Sequence, residues 1–375
     1  MTRKLHILFC SSPLQFVHAH LVRRSGALGE GEVRLFCEPP ISPMVIVPGM
    51  WDGVTELASS KRQFGNAIAN IRKNLEIFET RIDLTNYDHI HLVISDVFWL
   101  MNNVALAALR RKCEKLAIKF SFSILDEGAI LYSGARLSWK RTLRCWARSL
   151  YLIANRLDTV FVSDGNADYR NALCERVFCL HPKLILAPSS VDKVRINPDL
   201  LDEIYGDRFG QLPMPPASAL YLSQPLYVKL GVDAHMRLVL ASRDLLEKQG
   251  VRRFFYKSHH FDSREWTSVL ESRCGLEPVP NSGDLPIEVW ARKCPAEVVF
   301  SHFSSALLNL GAYGFMGRVV AAGLNQLMDV FREPNEYHQY IDAVTRIGGI
   351  EMMDLFDRAE NQPQGNREAL RQPDN

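Results

Sequence analysis

The run Val251-Arg-Arg-Phe-Phe-Tyr256 stops abruptly at Lys257-Ser258-His259-His260. A short stretch of β-branched and aromatic residues marks a strand buried on both faces of a parallel sheet. Polar residues just past its C-terminal end lie where open α/β sheets bind ligands. The same pattern recurs twice: Phe120 to Leu125 ends in Asp126-Glu127-Gly128, and Ala296 to Ser301 leads to Ser304-Ser305. A carboxylate, an imidazole and a hydroxyl pair, each at a strand end, form a coherent catalytic set.

The segments between these strands read as helices. Strand 4–10 runs through Ser11-Ser12-Pro13-Leu14-Gln15, with a serine cap and Pro13 near the first helical position. Strands 32–37, 89–94, 119–125, 159–162 and 177–180 alternate with helices 56–78, 99–117 and 138–157. Residues 191–217 break the rhythm and end in Pro213-Met214-Pro215-Pro216. It then resumes with a strand from Ala219, helix 230–249, strand 252–257, helices near 263–273 and 286–292, strand 296–301, helix 304–313 and strand 317–322. The expected fold is α/β, with two Rossmann-like doubly wound domains facing a cleft. Their limits are 1–195 and 218–357, joined by a linker at 196–217, and the polar stretch 358–375 reads as a disordered tail.

Composition removes several alternatives. Lys+Arg 44 against Asp+Glu 42 leaves +2, too little for a general nucleic-acid binder. No apolar run is long enough to span a bilayer, and Leu5 to Cys10 is too short for a signal-peptide core. The 8 cysteines are scattered without a CxxC pair. They read as buried thiols in the cytoplasm rather than as a zinc or disulfide framework. Helix 138–157 interleaves Lys140, Arg141, Arg144 and Arg148 with Trp139, Leu143, Trp146 and Leu150. The plain expectation is a surface helix packed by its apolar face; the others are peripheral docking on the inner face of the cytoplasmic membrane and contact with a negatively charged glycan.

Each constellation has a chemical and a structural reading. Asp126 or Glu127 can take a proton from a hydroxyl nucleophile, with Gly128 permitting the turn, or the pair can cap a helix. His259 can protonate or neutralise a leaving phosphate with Lys257 and His260 adding positive field, or it can be a structural histidine. Adjacent histidines on extended backbone point to opposite faces, which argues against a metal. Ser304 and Ser305 can bind a phosphate or simply cap a helix. His302 reads as packing. His181-Pro182-Lys183 looks like a reactive loop, but with no carboxylate accompanying it in sequence it reads as structural.

In this order and spacing the motifs resemble those of bacterial GT-B sialyltransferases, including capsular polysialyltransferases and lipooligosaccharide enzymes. These families carry an acidic pair plus glycine, a His-Pro motif and a Ser-Ser/Thr motif. Leu8-Phe9-Cys10-Ser11-Ser12-Pro13-Leu14-Gln15 and Leu222-Ser223-Gln224-Pro225-Leu226 look like their openings to each half. The resemblance runs from residue 5 to about 320, with one departure: His260 stands where the proline belongs. It implies a metal-independent, inverting transfer of sialic acid from CMP-sialic acid to an acceptor glycan of the bacterial surface, with no cofactor. Glu127 or Asp126 would be the base and His259 the acid, with Ser304, Ser305, His260, Lys257, Ser12 and Gln224 around the donor. The alternatives are a CDP-polyol phosphotransferase of teichoic-acid type, a transferase of another acidic sugar such as Kdo, and a non-catalytic nucleotide- or glycan-binding subunit.

Overall fold

The computed structural model describes residues 3–39, 46–47, 49–60, 64–133, 139–162, 172–208, 210, 212–280, 285–330 and 336–355. The stretch 358–375 therefore lies outside the described residues. The chain divides into two compact units, Met1–Arg208 and Phe209–Asn375.

The first unit contains β1 (Lys4–Cys10), α1 (Pro13–Arg24), β2 (Glu32–Cys37), β3 (Gly53–Glu56), α2 (Phe64–Arg81), β4 (His89–Ile94) and α3 (Leu100–Lys115). It continues with β5 (Lys119–Leu125), α4 (Ala129–Tyr132), α5 (Trp139–Ala154), β6 (Cys174–Cys179), β7 (Asp192–Arg195) and α6 (Leu201–Tyr205). The strands form one sheet in the order β3-β2-β1-β4-β5-β6-β7, parallel throughout. Chain direction across the sheet reverses between β1 and β4, the position where doubly wound folds open a crevice.

The second unit contains β8 (Ser218–Leu222), α7 (Tyr227–Leu230), α8 (Val232–Lys248), β9 (Arg253–Lys257), α9 (Arg264–Ser272) and β10 (Glu277–Pro278). It ends with β11 (Val298–Ser301), α10 (Ala306–Leu310), β12 (Arg318–Ala322), α11 (Leu324–Val330), α12 (Glu336–Ile347) and β13 (Glu351–Met353). The sheet order is β10-β9-β8-β11-β12-β13, again parallel, and its switch point lies between β8 and β11.

Several elements differ from the sequence expectation. Residues 192–208 belong to the first unit, where β7 closes the sheet and α6 lies against α1 through Arg24–Glu203 and His20–Tyr205. The apolar run 159–162 is not a strand, because the Asn103 side chain holds the Val160 backbone from both sides, at 2.9 Å each. The place beside β5 goes to β6. Helix α2 begins at Phe64 rather than 56, after β3 has used residues 53–56. Helix α5 inverts the expected packing. Cys145, Ser149 and Leu152 are buried, while Trp139, Leu143, Trp146, Leu150 and Ile153 face solvent at 69%, 50%, 46%, 60% and 48% exposure.

A polar chain runs through the first core. His6 Nε2 faces the Glu30 carbonyl at 3.2 Å, His6 Nδ1 faces His91 Nδ1 at 2.8 Å, and His91 Nε2 faces Ser123 Oγ at 2.7 Å. A carbonyl only accepts, so neutral His6 carries its proton on Nε2. His91 then donates from Nδ1, and Ser123 donates to His91 Nε2. Gly31, at φ +143°, makes room; a Cβ there would lie 2.7 Å from the Lys4 carbonyl and 3.0 Å from the His6 ring. Burial pushes His6 down to about 4 and His91 well below the usual imidazole range. The unfolded chain therefore binds protons that the folded chain refuses. Stability is full above pH 6.5 and is lost as pH falls toward 4. Urea unfolding between pH 6.5 and 5 is expected to show a loss of roughly 2 kcal/mol from His6 alone. A flat profile over that window would contradict the neutral chain.

Candidate functional site

In the first unit, β5 delivers Asp126-Glu127-Gly128 at its C-terminal end. Asp126 is fully buried. Its Oδ1 accepts from Gly128 N–H at 2.9 Å, and its Oδ2 accepts from Leu180 N–H at 3.1 Å and from the Tyr132 hydroxyl. Its carbonyl accepts from His18 Nδ1 at 2.7 Å. Burial, reinforced by the Asp126 charge, pushes the Tyr132 phenol well above its usual range, so Tyr132 stays a donor. Asp126 thus ties the β5 turn to the chain leaving β6. Gly128 sits at φ 121°, ψ −138°, a region open essentially to glycine.

Glu127 is half-buried. The Cys10 thiol is pushed well above its usual range by burial, with the charges of Cys37 and Glu127 adding to it. Ser12 caps α1: its Oγ accepts from Gln15 N–H at 3.4 Å, and the Gln15 side-chain Oε1 accepts from Ser11 N–H at 2.6 Å, a variant of the capping box. The Ser12 hydroxyl hydrogen is not used in that cap. A small hollow of about 10 Å³ lies at the β1/β4 switch point, lined by Cys10, Ser11, Glu38, Trp99 and Asn102 among others.

In the second unit the remaining motifs share the C-terminal edge of one sheet. Ser223 and Gln224 follow β8, Lys257 to His260 follow β9, and Ser304-Ser305 follow β11. The Ser301 hydroxyl donates to the Leu222 carbonyl at 2.7 Å, and Ser223 N–H donates to the Lys257 carbonyl at 3.0 Å. The Ser223 Oγ accepts from Trp266 Nε1–H at 2.9 Å. His259 is half-buried and His260 exposed, and their ring centroids lie 4.2 Å apart, so the loop past β9 turns the two rings together instead of sending them to opposite faces as extended backbone would. Phe261 N–H donates to His259 Nδ1 at 3.2 Å, so a neutral ring carries its proton on Nε2. Asp262 clasps the loop: it accepts His259 N–H on Oδ2 at 2.8 Å and returns its own N–H to the His259 carbonyl at 2.9 Å. Burial pushes the Asp262 carboxyl up, against hydrogen bonds from the His259 backbone and the Ser223 side chain.

Ser304 is buried and Ser305 half-buried. The helix they open, α10, has 5 residues, so little helix dipole adds to their hydroxyls. His302 is fully buried and faces the Ala322 carbonyl at 2.9 Å, and burial pushes it down to about 4. It belongs to the packing.

No family model and no curated protein matches the chain. Solved structures do. The S. aureus MnaA–UDP co-structure is 11% identical with TM-score 0.51, covering 92% of this chain and 90% of that one. Arabidopsis thaliana UGT89C1 complexed with UDP is 14% identical with TM-score 0.51, over 98% and 89%. The GT-B domain of a Photobacterium damselae sialyltransferase is 10% identical over 94% and 99%; its TM-score of 0.47 adds nothing to the fold assignment. The chain has the GT-B fold.

Within this GT-B chain, sequence reasoning missed three supports. Tyr132 carries no motif of its own. Asp262 stands just before Ser263, which caps α9 through Trp266 N–H at 3.1 Å, so the pair reads as an ordinary helix start. His181 has no carboxylate near it in sequence, yet parallel pairing of β5 with β6 brings it against Tyr132, with ring centroids 5.3 Å apart, beside Asp126. The roles of Asp126 and Glu127 separate by a stability measurement. Asp126→Ala leaves the Gly128 N–H and the Tyr132 hydroxyl without their acceptor, while Leu180 N–H keeps the Tyr132 oxygen at 3.0 Å; at about 1–3 kcal/mol for each buried unsatisfied group the expected cost is about 2 kcal/mol or more. Glu127→Gln is expected to stay within about 0.5 kcal/mol of wild type. Equal losses in urea melts would overturn the division.

Proposed function

We propose that the chain is an inverting, metal-independent glycosyltransferase that moves sialic acid from CMP-sialic acid to a hydroxyl of an acceptor glycan. The observation that carries this reading is the convergence of Ser223-Gln224, Lys257-His259 and Ser304-Ser305 around one switch point. Two neighbours at TM-score 0.51 are described with UDP bound, and the reading gives this chain a nucleotide donor at the C-terminal edge of its second sheet. The choice of cytidine and of sialic acid rests on the sequence resemblance.

In this reading Glu127 is the base, since Asp126 is committed to three hydrogen bonds within the fold. Glu127 removes the acceptor hydroxyl proton as that oxygen bonds to the anomeric carbon of sialic acid. The bond from that carbon to the CMP phosphate oxygen breaks, and the configuration inverts. His259 delivers its Nε2 proton to the departing phosphate, or faces it as a cation, with Lys257 and His260 nearby. Ser304 and Ser305 hold the phosphate oxygens. A single phosphate asks for no bridging metal. Asp262 takes over the work of the missing proline, fixing the His259 backbone by hydrogen bonds instead of by a ring. The cysteines, all free and seven of them buried, favour a reducing compartment and hence the cytoplasm.

The test is CMP release from CMP-sialic acid by the purified chain, with CDP-glycerol as competing donor. The expected result is turnover of CMP-sialic acid that falls about 10²–10⁴-fold in His259→Ala. Transfer to an acceptor is expected to fall as far in Glu127→Gln. Asp262→Ala is expected to lower kcat roughly tenfold to a hundredfold by misplacing the loop. Asp262→Asn still accepts the His259 N–H and is expected to keep most of the rate. Turnover of CDP-glycerol instead makes the chain a polyol phosphotransferase. Silence with both donors rejects the proposal.

A further inference from the structure

Helix α5 turns the wrong side outward for a globular protein. Trp139, Leu143, Trp146, Leu150 and Ile153 recur at intervals of four and three residues, which is one face of a helix. Every one of them is at least 46% exposed. The side facing the protein is narrow and small, with Cys145, Ser149 and Leu152 buried. The Ser149 hydroxyl lies 3.5 Å from Thr159 Oγ1, whose hydroxyl donates to Asn103 Oδ1 at 2.7 Å, so α5 is fastened to α3 by polar contacts. Its apolar face is left uncovered among the described residues.

Lys140, Arg144 and Arg148 follow one another at intervals of four and form a flank beside the apolar stripe. Lys140 and Arg144 are exposed and Arg148 half-buried. The sixteen residues of α5 contain no Asp or Glu, whereas the whole chain carries both signs nearly equally. Apolar side chains with two tryptophans on one side and only cations beside them match the two layers of an anionic bilayer surface. Indole and aliphatic groups enter the interface, while long cationic stems reach up to lipid phosphates. A protein interface of the same apolar character would be depleted in lysine and would not require one sign of charge along its length.

We propose that α5 docks the first unit on a bilayer containing anionic lipid, lying in the interface plane with its Trp139–Ile153 face inserted. The helix does not cross: no helix among the described residues is long and apolar enough to span a membrane. Because α5 and Glu127 belong to the same unit, docking holds the unit that carries the candidate base at a lipid surface. The acceptor class that such placement favours is a glycan carried on a membrane lipid. The docking itself does not depend on the donor reading.

The test is flotation of the full chain with vesicles of phosphatidylcholine, with and without phosphatidylglycerol. Binding is expected only with phosphatidylglycerol and is expected to fall as salt approaches about 1 M, where the Debye length is ~3 Å. Arg144→Glu with Arg148→Glu is expected to weaken it by roughly 25-fold or more, about fivefold for each cation lost. Leu143→Ser with Leu150→Ser, at exposed positions that do not risk the fold, is expected to abolish it while CMP release in solution stays at the wild-type level. Failure of the wild-type chain to float, or flotation unaffected by the leucine substitutions, overturns the proposal. So does a dimer in sedimentation velocity that the leucine substitutions dissociate, which would assign the face to a second copy. A chain that floats without releasing CMP leaves the docking intact and overturns the donor reading alone.

Discussion

Every strand pairing in both sheets is parallel, and that single constraint arranges the molecule. A parallel ladder puts all strand C-termini on one edge, so each unit has one edge where loops begin, helices start and polar groups can be left unpaired by the ladder. Residues far apart in sequence then become neighbours without a motif joining them. Asp126 and Leu180, 54 apart, meet because β5 and β6 end together. Leu222 and Ser301, 79 apart, meet because β8 and β11 do.

The central strands were legible because burial on both faces demands an unbroken apolar run, as in Leu5–Cys10, Phe120–Leu125 and Phe254–Tyr256. The strands that escaped sequence reading are β3, β7, β10 and β13, which are the four edges of the two sheets. An edge strand is half solvated and short, and Asp192-Lys-Val-Arg195 or Glu277-Pro278 has no reason to look apolar. Charge and proline there block further pairing, so the features that hid these strands from the sequence also stop the sheets from extending. The run 159–162 fails the opposite way. It is apolar enough for a strand, but its backbone is claimed by the Asn103 amide. Motif positions were readable from strand ends; their supports were not, since Tyr132 and Asp262 carry no motif of their own and His181 reaches Tyr132 only through the pairing of β5 with β6.

Helix α5 shows where amphipathic pattern alone misleads. The period identifies a helix with one apolar face but says nothing of which side meets the protein. Fully exposing a large apolar side chain forgoes about 1.5–3 kcal/mol relative to burying it. A stripe of five is therefore costly unless another phase or partner covers it.

The division of labour between Asp126 and Glu127 follows from the same edge geometry. Successive residues leaving a strand point to opposite sides, so two adjacent carboxylates cannot both turn inward. The one directed into the fold meets the N–H groups of Gly128 and Leu180 and the Tyr132 hydroxyl. Those partners fix the turn, and the turn then fixes the direction of the other. Gly128 completes this: its backbone conformation lets the chain reverse into α4 within one residue. Removing Asp126 would therefore disturb activity too, though by loosening the frame that aims Glu127. Under the proposed reaction the two residues would act in series, a buried acceptor that sets the turn and a half-buried carboxylate that would take the acceptor hydroxyl proton.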